Sequence, residues 1–92
     1  MRATVVGLVT PHLLRIVALA NQAEKGVNVD WHLRDSVAMT MRELSEQYNA
    51  PALVAAYVDG LEAAADQAAT TRAAYINVLR TAATAAQTLR RD

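Results

Sequence analysis

From Leu13 to Leu89 the large apolar residues recur at steps of three and four, the spacing that holds side chains on one face of an α-helix. Three helices follow from this pattern. The first is predicted over residues 10–25. Thr10 reads as an N-cap and Pro11 suits the first helical position, where its missing N–H loses no partner. Leu13, Leu14, Ile16, Val17, Leu19 and Ala20 follow, and Gly26 can take the left-handed conformation that ends a helix. Residues 1–9, β-branched around Gly7, read as an arm. A longer helix running through Pro11 is the alternative, because Val6, Val9, Leu13, Ile16, Ala20 and Ala23 keep the same spacing. A helix apolar on nearly every side belongs at the centre of a bundle or in an interface.

The second helix is predicted over 30–48, capped by Asp30 and stopped by Asn49 and Pro51. Leu33, Val37, Met41, Leu44 and Tyr48 form its single stripe, while Arg34, Asp35, Arg42, Glu43 and Glu46 mark solvated faces. The third, over 51–89, is dominated by alanine and has one interior glycine, Gly60. At 1.5 Å per residue it would reach roughly 57 Å. The expected architecture is all-α: two short helices packed on one long, heptad-patterned C-terminal helix, in a single domain over 1–92. A break near Thr70 would give a four-helix bundle instead.

The heptad pattern of this third segment carries the most information. Val54, Val58, Leu61, Ala65, Ala68, Arg72, Tyr75, Leu79, Ala82, Ala86 and Leu89 step by alternating four and three, a seam that calls for another helix along its length. Helices 1 and 2 laid end to end could cover it within one chain; a second copy or a foreign helix could cover what they leave bare. Arg72, inside the seam, either carries its guanidinium out to water on a buried stem or sets the register of an oligomer. Asp59, Glu62 and Asp66 precede the break point, and Arg72, Arg80, Arg90 and Arg91 follow it. That order suits an antiparallel homodimer centred near Thr70 and Thr71, with Glu62 beside Arg80 and Asp59 near Ala82.

Composition strengthens the case for association. A chain of 92 residues buries only about 60–65% of its unfolded surface, and without cysteine no disulfide can support so thin a core. Nine basic and nine acidic residues cancel, which removes the field that draws proteins to nucleic acid or anionic membranes. Alanine and arginine are favoured over lysine, as in high-GC bacterial genomes and their phages. The most apolar stretch, from Val5 to Ala20, is interrupted by Pro11, His12 and Arg15 and is too short to span a bilayer. No membrane contact and a cytoplasmic location are therefore expected.

The chain offers little chemistry. His32 has Asp30 and Asp35 nearby but no third ligand, and His12 is isolated among aliphatics, so neither metal nor cofactor is expected. Ser36 and Ser45 fall mid-helix without the strained turn that exposes a nucleophile, and Gly7, Gly26 and Gly60 are too scattered to cradle phosphate. Four arginines spread over the last two dozen residues make a weak patch, which disfavours nucleic-acid binding. What remains is a non-enzymatic protein–protein interaction module: an adaptor, a regulator or a phage-type binder of a host partner. Its expected contacts are the seam residues Val54, Val58, Leu61, Ala65, Ala68, Arg72, Tyr75 and Leu79, together with Trp31, an aromatic of the kind that anchors interfaces. The alternative is a small-molecule-binding bundle, a sensor or carrier, with Trp31, Met39, Met41 and Tyr48 lining a pocket.

Overall fold

The computed structural model describes residues 5–68 and 73–91. Over these the chain is all-helical, with four helices of similar length: α1 (Val5–Glu24), α2 (Asp30–Ser45), α3 (Ala50–Asp66) and α4 (Ala73–Arg91). Ala23 and Leu33 lie near Ala74 and Val78 at one end, and Met41 and Ser45 lie near Pro51 and Leu89 at the other. The helices therefore run up, down, up and down. α4 packs against all three others, while α1 and α2 meet least and flank the α3–α4 pair.

The single long helix expected over 51–89 is replaced by α3 and α4. Helix α3 ends at Asp66, where the Gln67 amide donates to the Ala63 carbonyl. Thr70, where the break was weighed, lies outside the described residues. Burial explains the outcome: folded back, the two halves of the seam cover each other, which a continuous helix cannot do. Val58, Leu61 and Ala65 on α3 and Leu79, Ala82 and Ala86 on α4 all enter one core. The charge order closes the same way inside the chain. Arg80 reaches Asp66 at 3.4 Å, and the Gln87 amide donates to the Glu62 carboxylate. The Arg80–Asp66 pair is exposed on both sides, so it contributes about 0.2–1 kcal/mol and the apolar contacts carry the hairpin.

Helix α1 begins at Val5, so most of the expected arm is helix and the longer alternative through Pro11 describes it better. Thr10 is accordingly not an N-cap. Its hydroxyl donates to the Val6 carbonyl at 2.7 Å, one turn back. Burial of Val9 across the proline supplies the tertiary contact that outweighs the unfavourable ring position. The 20-residue helix, with a window of mean hydropathy 1.3, is long and apolar enough by length and composition to cross a membrane, contrary to the shorter reading. Here its inner face, Val9, Ile16 and Ala20, is buried in the core.

The predicted stop of α1 is found where expected. Gly26 has φ +92°, its amide donates to the Ala23 carbonyl, and the Val27 amide donates to the Gln22 carbonyl. These two bonds form the Schellman closure that a left-handed C′ residue permits. Val29, rather than Asp30, then precedes the first helical residue of α2. The Asp30 amide donates to the Asn28 side chain, and the Asp30 carboxylate lies in the first turn, where it complements the positive helix end. Helix α2 stops at Ser45, short of the predicted Tyr48. Leu33, Val37, Met41 and Leu44 of its stripe are buried, whereas Tyr48 is 98% exposed. Asn49 takes φ 65°, its carbonyl accepts from the Ala52 and Leu53 amides, and Pro51 sits in the first turn of α3.

Gly60 lets α1 and α3 approach closely: a Cβ there would stand 2.6 Å from Leu13 Cδ1. Gly60→Leu should destabilise the fold by about 1–3 kcal/mol through overpacking. Gly26→Ala, which meets nothing within 4 Å but holds φ +92°, should lose about 1 kcal/mol from backbone strain alone. Urea titrations followed by circular dichroism measure both.

Candidate functional site: an arginine-rimmed cleft

The residues expected to make contacts divide into three groups. Val54, Val58, Leu61 and Ala65 on α3 and Leu79 on α4 are buried within the chain, covered by its own helices. Ala68 and Tyr75 are half-buried beside the α3–α4 connection, and Arg72 lies outside the described residues. Trp31 stands 84% exposed near the start of α2. Of the four side chains considered as pocket liners, only Met41 faces a cavity; Trp31, Met39 and Tyr48 are exposed.

Pattern reasoning missed a polar group in the interior. Tyr57 is fully buried on α3, and its ring meets the His12 ring edge to face, with centroids 6.5 Å apart at 86°. Thr40 of α2 is buried as well and acts on the Tyr57 hydroxyl, yet neither that hydroxyl nor His12 Nδ1 makes a hydrogen bond of standard geometry. Burial pushes the Tyr57 hydroxyl above the usual phenol range, and Thr40 and the Arg15 guanidinium draw it back in part. Tyr57 keeps a four-residue step with Leu53 and Leu61, so its burial was legible. The neighbours His12 and Thr40, from two other helices, were not.

A concavity lies at the end of the bundle where α2 finishes, α3 begins and α4 finishes. It is a cleft of about 680 Å³, open to solvent on one side. Met41, Val54, Ala38 and Leu89 make its apolar surface, Ala50 and Pro51 bring in the first turn of α3, and Arg42, Ser45 and Arg90 supply its polar atoms. Among the described residues no carboxylate lines it. Ser45 Oγ is already engaged, donating to the Arg42 carbonyl at 2.8 Å. Both guanidinium groups are without an ion-pair partner among the described residues. Each arginine sits in the last turn of its own helix, where it answers the partial negative charge of the helix end. Helix α3 presents its positive end to the cleft with no acidic residue in its first turn and no side-chain cap. Within the described lining the two guanidinium charges outweigh the two half-charges of the helix ends.

Among the described residues no group of three or more His, Asp or Glu side chains is placed to hold a metal ion. His32 is exposed on α2. The chain matches no family model, no curated protein and no solved structure.

The unpaired Tyr57 hydroxyl yields a test of the interior. Tyr57→Phe removes a buried group that makes no hydrogen bond and keeps the ring, so stability should be unchanged or rise by up to about 1 kcal/mol. Because the folded hydroxyl loses its proton at higher pH than the unfolded one, the native state holds the extra proton between the two values. Stability should therefore fall as pH rises above about 10, the unfolded phenol value. Tyr57→Phe should flatten that decline. Denaturant midpoints at several alkaline pH values give both results.

Proposed function

We propose that this chain is a non-enzymatic protein-interaction module, an adaptor or regulator, that self-associates as a homodimer through the outer sides of its bundle. Trp31 carries the reading. A tryptophan left 84% exposed, with Val27 before α2 and Met39 on α2 also exposed, is the kind of side chain that anchors an interface. On the opposite flank α1 leaves Val6, Leu8 and Leu14 exposed. With the heptad residues enclosed, folded chains would meet on these outer positions.

A net charge of zero adds no repulsion between copies. A second reading, a ligand-binding bundle that acts as sensor or carrier, is favoured by the cleft, whose volume falls in the ~300–1,000 Å³ range of small-molecule sites.

Because the chain holds a single tryptophan, its intrinsic emission reports on position 31 alone. Raising the concentration from sub-micromolar to millimolar should shift the emission to the blue while light scattering shows the mass doubling. Trp31→Ala should weaken association by about 2 kcal/mol, some thirtyfold in dissociation constant. A species of 9.9 kDa across the whole range, with unchanged emission, would refute the homodimer.

A further inference from the structure

We propose that the cleft between α2, α3 and α4 binds a single-chain amphiphilic anion, a long-chain carboxylate, with its head between Arg42 and Arg90 and its chain along Met41, Val54 and Leu89. The inference rests on reading the cleft as a binding site and is independent of dimer formation. Shape and charge select this occupant together. The surface inside is apolar, while the rim carries two guanidinium groups and, among the described residues, no carboxylate in the lining. Guanidinium is the side-chain group best matched to a carboxylate, because its planar fork can donate two parallel hydrogen bonds. The first turn of α3 adds only its dipole beside them, since the Ala52 and Leu53 amides already donate to the Asn49 carbonyl and Pro51 has no N–H.

The cleft, about 680 Å³ and walled by the small residues Ala38 and Ala50 and by Pro51, has the size of a small-molecule site, about 300–1,000 Å³. A purely apolar ligand would leave the rim charges unanswered, and a cationic amphiphile would be repelled by them.

Isothermal titration calorimetry with dodecanoate, dodecanol and dodecyltrimethylammonium, each below its micellar concentration, tests the proposal. Dodecanoate should bind one per chain, at least tenfold more tightly than the ammonium, and decanoate should bind more weakly by about fourfold for each missing methylene that is buried. Arg42→Gln with Arg90→Gln should bring dodecanoate to the affinity of dodecanol while the melting temperature stays near that of the parent. Ala38→Trp, at an exposed position on the cleft wall, should block all three ligands without touching the core. Equal binding of the three head groups, binding insensitive to Ala38→Trp, or no binding of dodecanoate would each overturn the assignment. Failure of dodecanoate together with Ala38→Trp-sensitive binding of an acidic helical peptide would overturn it too and give the cleft to a protein partner. Trp31 lies outside the cleft lining, so its emission in the same titrations reads self-association separately.

Discussion

The fold depends on one constraint: the apolar face that runs through the alanine-rich half of the chain must be covered, and the chain covers it with itself. Val58, Leu61 and Ala65 of α3 are enclosed in the same core as Leu79, Ala82 and Ala86 of α4. Alanine at so many of these positions lets the two backbones come close, so the hairpin gains dense packing from side chains of little bulk. Once this pair exists, α1 and α2 have a surface on which to dock from either side. The Asp66–Arg80 ion pair and the Gln87–Glu62 hydrogen bond agree with the hairpin but lie at its margin.

A core of small residues is a thin one. It is completed by a few large side chains, Tyr57, Ile16, Leu61 and Leu79, each excluded from solvent. Tyr57 fills volume that alanine cannot, and it brings a hydroxyl into a region where Thr40, His12 and the Arg15 guanidinium are its polar company. The interior therefore trades hydrogen-bond satisfaction for bulk at this one place. Gly60 makes the opposite adjustment nearby, giving up a side chain so that Leu13 can pack against the α3 backbone.

The cleft is a consequence of how the helices end. Helix α2 stops at Ser45, the chain reverses at Asn49 in the left-handed conformation, and α3 restarts at once from Ala50 and Pro51. Leu89 reaches this end from α4 and remains 41% exposed, so no large side chain closes the space. The two arginines that finish α2 and α4 are thereby brought to one mouth from positions 42 and 90, far apart in the chain. Trp31 lies outside this arrangement, on the flank of α2. The binding surfaces of the proposed module are thus two, an aromatic flank and a charged-rim cleft, and they can be tested apart.

Local sequence determined the features whose causes are local. The helical periodicity, the glycine stop at Gly26, the reversal at Asn49 and Pro51 and the buried stripe from Leu33 to Leu44 each depend on neighbouring residues, and each was legible. The unbroken helix across Pro11 was legible only as an alternative, because the favourable term, burial of Val9 against other helices, is not local. For the same reason the seam announced that it needed a partner without naming one. A heptad face is satisfied equally by a second chain or by its own other half, and the choice depends on how closely the intervening turn lets the halves meet. The cleft was not legible at all, since Arg42 and Arg90 acquire a common role only when helix ends distant in sequence are packed side by side. Tertiary structure decided these points because packing energy depends on which surfaces meet, and periodicity records only which surfaces are available.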